Sequence, residues 1–280
     1  VDRIVFLENR IQEYAWGSKT FIPELLGESS PAKKPKAEMW IGSHPKAPSV
    51  VIYNGNRISL AELIRKDPPG TLGVSIAKKF SNKLPFLFKV LAAARPLSIQ
   101  AHPGREQANA GFIRENTEKI SLESADRNYR DENHKPELIC ALKPLWVLKG
   151  FQKIEDIIDI MEKFGDMAKR LGIEILTSQP GREGLKGFFI ALMNMEKDRR
   201  RNLLDEIAAG INNSGLSGPV FDWVRRLNRN YPGDIGVLSP VFLNLVHLQP
   251  TEAMYIPSGE LHSYLEGAGL ELMANSDNVI

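Results

Sequence analysis

With 280 residues, 42% of them hydrophobic, the chain is long enough to bury one large core or two modest ones, which excludes disorder as its general state. Its 36 Lys and Arg against 34 Asp and Glu leave a formal charge of +2, so no global attraction to nucleic acid or to an anionic membrane follows. The single cysteine, Cys140, rules out an intrachain disulfide, suits a reducing compartment and reads as a small core residue.

The N-terminal stretch Val1 to Tyr14 lacks the uninterrupted apolar run of a secretory leader. The most apolar segment, Leu84 to Ala94, is interrupted by Lys89. A soluble cytoplasmic protein with neither membrane nor nucleic-acid partners is therefore expected. Because the chain begins with Val1 rather than Met, and Ile280 follows a strand-like run, it is expected to be part of a longer product.

The Lys33-Lys34-Pro35-Lys36 run reads as a solvated loop. From Glu38 to Ile52 and from Pro85 to Ala101, short apolar and β-branched runs punctuated by Pro, Gly and Asn predict strands and turns. Between Gln152 and Asn230 the period changes. Ile154, Ile157, Ile158, Met161 and Phe164 recur at three and four residues, as do Leu185, Phe188, Phe189 and Leu192, and then Phe221, Val224 and Leu227. These are core-facing helical stripes. Tyr231-Pro232-Gly233-Asp234 ends the helical region, and a strand is expected through Val241 to Val246. The strands on either side need one another to close a core, so the fold class is mainly β with a helical insertion: residues 1–150 and 235–280 form the β-domain and 151–234 the insertion.

Chemistry-bearing residues gather on three pieces of the β-domain. Pro96 to Pro103 reads as a strand ended by Pro-Gly, whose alternation puts Ser98, Gln100 and His102 on one face. Pro136 to Leu142 is apolar except for Glu137 at its start, and a buried carboxylate there has to be paired, hydrogen-bonded or metal-bound. Pairing with Lys135 or Arg130 is the plain alternative. Tyr255 to Tyr264 reads as strand, Pro-Ser-Gly turn and strand, delivering His262 and Tyr264 on one face. Two imidazoles, one carboxylate and the Gln100 amide oxygen would make a four-ligand metal site open to water or substrate.

Four segments, Glu38-Met39-Trp40-Ile41-Gly42-Ser43-His44-Pro45, Ser98 to Pro103, Asn133-His134-Lys135-Pro136-Glu137 and Gly269 to Ile280, resemble signature segments of the type I phosphomannose isomerases. The similarity keeps the family's order from Tyr14-Ala15-Trp16-Gly17 to the last residue. It implies a cupin-type jelly-roll β-sandwich with an inserted helical domain, and a zinc-dependent aldose–ketose isomerase acting on mannose 6-phosphate and fructose 6-phosphate through proton transfer and an enediolate. By resemblance, Gln100, His102, Glu137 and His262 hold one zinc ion per chain. Trp16, His44, Lys89, Ser98, Lys135, Tyr264, Glu271 and Asp277 line the sugar-phosphate pocket. An ammonium inside the apolar run around Lys89 needs a reason, and an anionic substrate supplies one. Lys135 is expected to assist electrostatically, with Glu271 or His44 handling protons. A monomer with some weak self-association is expected.

Two other readings share these residues. Two histidines and a carboxylate also describe a non-haem iron centre, although Gln100 and the lysines argue against an oxygenase. A sugar-phosphate-binding cupin without turnover would keep the same pocket. In the family the pattern continues past the position of Ile280 into an arginine and a Gly-Leu-Thr-Pro-Lys-like stretch, and a further C-terminal β-domain follows. The expectation is that the chain as given binds zinc, turns over poorly and exposes apolar strand edges.

Overall fold

Alternating β-branched and aromatic residues set the strands of the computed structural model, which describes residues 4–53 and 55–279. Ile280, on which the signature segment ends, and the first three residues of the N-terminal stretch lie outside the described residues. In chain order the strands are β1 (Leu7–Glu8), β2 (Arg10–Gln12), β3 (Glu38–Ile41), β4 (Val50–Tyr53), β5 (Asn56–Ser59), β6 (Phe86–Ala93), β7 (Glu137–Ala141), β8 (Leu145–Phe151), β9 (Leu243–Leu248), β10 (Ala253–Ile256) and β11 (His262–Ala274). The chain divides into two units, one holding the residues up to Val147 and from His247 on, the other Leu148–Val246. The fold is mainly β with a helical insertion, as the sequence leads one to expect.

In the first unit a large sheet runs in the order β10-β7-β11-β6-β3-β2, and β1-β4-β5 form a second, three-stranded sheet. The pairings along both are antiparallel. Register decides what the large sheet can do. Ile139, Glu271, Lys89 and Trp40 stand opposite one another across β7, β11, β6 and β3, so their side chains share one face. Two residues along, Glu137 and Leu87 flank Met273 on that same face. The opposite face carries Met39, Val90, Ala92 and Ala268, which pack with Ile22 in an apolar cluster. The sheet thus has a dry face and a face where charge is gathered. Gly267 in β11 has φ 131°, and a Cβ there would lie 2.3 Å from the Pro144 carbonyl oxygen, so only glycine lets the two segments meet.

Elsewhere the structure departs from expectation. The Pro96–His102 segment is not a continuous strand. It touches β11 through one bridge, Gln100 to His262, and through the Leu97 N–H donating to the Tyr264 carbonyl at 2.9 Å. Pro96 and Pro103 lack the N–H groups that would extend the ladder. The strand expected from Val241 begins at Leu243, because Ser239–Phe242 closes a helical turn with Pro240 in its first positions. The sequence carries no helical period over Arg105–Thr117, which is nonetheless a helix. It buries only Ala108, Gly111 and Glu115, so it shows no apolar stripe.

The second unit holds the helices Ile154–Glu162, Asp166–Leu171, Ile173–Ser178, Arg182–Met193, Lys197–Asn213 and Pro219–Asn230. The expected stripes point inward: Ile157, Met161 and Phe164, then Phe188 and Leu192, then Phe221, Val224 and Leu227 are buried. Among the described residues no helix is long and apolar enough to cross a membrane.

One buried ion pair anchors the loop that leads into β7. Glu115 Oε2 accepts from the Tyr129 N–H at 2.9 Å and lies 3.1 Å from Arg127 Nε. Arg127, whose side chain is 0% exposed, also donates to the carbonyls of Tyr129 and Ile120 and to Asn116 Oδ1. Replacing Arg127 by Met strands a buried carboxylate, and is expected to cost about 3–5 kcal/mol in urea unfolding. Replacing the exposed Arg57, paired with Glu8, should leave the midpoint unchanged. Equal midpoints for the two variants would contradict this account.

Candidate metal centre

Two strands and one irregular segment deliver a buried cluster within the first unit. Glu137 opens β7, His262 opens β11, and His102 ends the stretch that the Gln100 bridge ties to β11. His102 Nε2 lies 3.1 Å from Glu137 Oε1 and His262 Nε2 lies 3.2 Å from Glu137 Oε2, with all three side chains at most 4% exposed. One ligand atom from each lies within 4.8 Å of the others.

Proton placement makes this cluster unusual. His102 Nδ1 is 3.0 Å from the Asn278 carbonyl oxygen, and His262 Nδ1 is 2.9 Å from the Glu260 carbonyl oxygen. A carbonyl only accepts, so each ring carries a proton on Nδ1, and in a neutral ring Nε2 presents a lone pair. Burial and the neighbouring Lys135 push His102 below its ordinary range, which keeps that ring neutral. Its Nε2 is buried without a hydrogen-bond partner, because a deprotonated ring nitrogen and a carboxylate oxygen both only accept. A lone pair therefore faces a carboxylate oxygen in the interior, an arrangement that a cation between them would relieve. Burial alone would raise the Glu137 carboxyl, but the two imidazoles and Lys135 hold it well below the usual range. Burial opposes the charge on His262 too, yet Glu137 outweighs it and raises the ring's pKa. Two imidazoles oriented by carbonyls and an ionised carboxylate fit a divalent transition metal.

Around the cluster lies a cavity of about 60 Å³, whose lining includes Gln100, Ser98, Lys135, Lys89, Tyr264 and Glu271. Lys135 Nζ is 3.5 Å from Glu137 Oε1. Lys89 Nζ is 3.0 Å from Glu271 Oε2 and 3.5 Å from Glu38 Oε1, and lies over the Trp40 ring at 5.4 Å. The Tyr264 hydroxyl donates to Glu271 Oε1 at 2.9 Å, and Trp40 Nε1 donates to Glu38 Oε2 at 2.7 Å. Burial disfavours charge on Lys89, but Glu271 and Glu38 reverse this and hold it above the ordinary lysine range. Two carboxylates share one ammonium. Burial, with the charges of Glu137 and Glu38, pushes Glu271 upward against the pull of Lys89.

His44 and Asp277 open onto a different and larger cavity of about 610 Å³, which Arg130 and Asn133 also line. His44 Nδ1 accepts from the Lys46 N–H at 3.3 Å, which puts its proton on Nε2, 3.3 Å from Asp277 Oδ1. The Trp40 ring touches both groups, meeting His44 in a T-shaped contact at 4.8 Å and lying under Lys89. Trp16 stacks on Tyr14 at 5.8 Å and lines neither cavity. Sequence reasoning assigned no role to Glu38 or Trp40. Glu38 opens an apolar strand just as Glu137 does, and that shared pattern was the available signal.

The sequence profile of the phosphomannose isomerase type I catalytic domain matches residues 4–154, and that of the family's helical insertion domain matches residues 166–243. The mannose-6-phosphate isomerase of Salmonella typhimurium is 41% identical over 275 residues, covering 98% of this chain and 69% of the relative. A crystal structure of mannose 6-phosphate isomerase with zinc bound superposes with a TM-score of 0.92 at 40% identity, covering 99% of this chain and 69% of that one. The Salmonella typhimurium enzyme bound to fructose 6-phosphate and zinc superposes with a TM-score of 0.91 at 40% identity over the same shares.

Asp277 generates a pH test. Hydrogen bonds from His44 and Lys46 hold its carboxyl far below the ordinary 3.8, against the effect of burial. A depressed pKa stabilises the fold above the unfolded value, and that stabilisation fades as pH falls towards the folded one. The stability advantage of the parent over Asp277→Asn, measured by urea unfolding, should therefore be full at pH 6 and shrink from about pH 4 towards pH 2. An advantage independent of pH would contradict the pairing.

Proposed function

The chain belongs to the type I phosphomannose isomerases, and from that premise we propose that it interconverts mannose 6-phosphate and fructose 6-phosphate with one zinc ion. The observation that carries the reading is the buried Glu137 set between two imidazoles whose Nδ1 protons are committed to carbonyls. His102 Nε2, His262 Nε2 and the Glu137 carboxylate would hold the ion. Gln100 completes the set, since its amide nitrogen donates to Ser98 Oγ at 3.3 Å and leaves the oxygen free to ligate. When bound, zinc supplies positive charge beside the substrate oxygens that become anionic during isomerisation.

The chain's own residues perform the rest. Aldose–ketose isomerisation moves a proton between C2 and C1 and another between their oxygens, by way of an enediolate. Lys135, held beside Glu137, adds fixed positive charge where that anion forms. Glu271 is the better-placed proton carrier, because it shares the cavity of the cluster and burial shifts its carboxyl upward, towards holding a proton. The Tyr264 hydroxyl and Lys89 hold that carboxyl in place. Ser98, on the exposed side of the cavity, is placed to donate to a phosphate or sugar oxygen. His44 and Asp277 line the larger cavity. The reading carries with it a monomeric cytoplasmic enzyme, with the sugar phosphate as its partner.

Metal-stripped protein should lack isomerase activity in a coupled assay on mannose 6-phosphate, and stoichiometric zinc should restore it. In His262→Ala, zinc content by elemental analysis and turnover should disappear together. Full zinc occupancy in that variant would count against the ligand set, and activity in the stripped parent would count against the metal's role.

A further inference from the structure

Both ligand imidazoles lean on a carbonyl, but the two anchors differ in kind. The carbonyl behind His262 belongs to Glu260, two residues earlier in the same turn, so local geometry fixes it. The carbonyl behind His102 belongs to Asn278, 176 residues away, in a segment with no regular structure. Something other than secondary structure must hold that oxygen still.

The Asn278 side chain does so. It is 0% exposed. Its Oδ1 accepts from the N–H groups of Arg130 at 2.7 Å and Asp131 at 3.2 Å. Its Nδ2 donates to the carbonyls of Asp131 and Asn133, both at 2.9 Å. A primary amide has two acceptor sites and two donors, and all four are engaged by one loop. That loop runs on into Lys135 and Glu137. One residue thus joins the orienting carbonyl of His102 to the segment that delivers the carboxylate His102 faces.

We propose that Asn278 is a positioning residue for the metal centre, setting the His102 ring through its backbone oxygen and the Glu137 arm through its side chain. The inference rests on the zinc reading above. Asn278→Asp keeps the shape but puts a third oxygen where Nδ2 meets two carbonyls. Asn278→Ala removes all four bonds. Removing partners that orient a metal-ligating histidine typically weakens the metal by about 10–100-fold.

The test is zinc affinity, measured by chelator competition on the whole chain, together with NMR exchange of the two imidazole Nδ1–H protons in the zinc-loaded protein. The expected result is a dissociation constant raised about 10–100-fold in Asn278→Asp, with the His102 proton exchanging faster and the His262 proton unchanged. Asn278→Ala should show the same pattern more strongly, and if it does not fold, the Asp variant alone decides. Affinity within about twofold of the parent, or equal acceleration of both protons, overturns the inference, the second outcome marking general loosening of the fold. Failure of the parent itself to bind zinc would instead overturn the metal reading, so the two failures are distinguishable.

Discussion

A carboxylate held in the interior against the Nε2 lone pair of His102 is the constraint on which the site depends. Desolvating Glu137 is costly, and a neutral His102 cannot donate to it while its one proton points at the Asn278 carbonyl, which leaves His262 and Lys135 as its cationic neighbours. The Nδ1 contact that orients His102 also leaves its Nε2 facing the carboxylate without a hydrogen bond. A protein selected only for stability would turn one ring over and let Nε2–H meet the carboxylate. Fixing the opposite tautomer keeps a divalent cation as the completing partner.

The sheet provides the rigidity this needs. Register places Ile139, Glu271, Lys89 and Trp40 across four strands, so the lysine meets its carboxylates through backbone pairing and not through a mobile loop. With Glu38 and Glu271 both against Lys89, the group has one acid more than its ammonium neutralises. Burial and the like charge of Glu38 favour a proton on Glu271, and a protonatable carboxyl on the cavity is what an isomerase asks of a proton carrier. The opposite face, packed on Ile22, Val90 and Ala92, stays apolar and holds the strands in register.

Much of this was legible in the sequence because side-chain alternation is local. Gln100 and His102, Glu137 at the head of an apolar run, and the stripes of the helical insertion all follow from periods of two and of about three and a half. The strand expected at Pro96–Pro103 is absent as regular structure, yet Ser98 and Gln100 line the cavity beside His262, to which Gln100 is bridged. Illegible parts have a common cause. Asn278 acts through backbone groups far away in the chain, Arg127 through carbonyls of an irregular loop, and helix Arg105–Thr117 buries a carboxylate instead of an apolar stripe. Hydrogen bonds to distant carbonyls leave no periodic trace. The placement of His44 and Asp277 on another cavity is likewise a matter of packing.

The most direct test of the account is the position of the ion. Crystals of the zinc-loaded protein, measured at the zinc absorption edge, should show one anomalous peak about 2.0–2.2 Å from His102 Nε2, His262 Nε2 and a Glu137 oxygen, with both Nδ1 atoms still on their carbonyls. A peak elsewhere, or rings turned so that Nδ1 carries the metal, would contradict it.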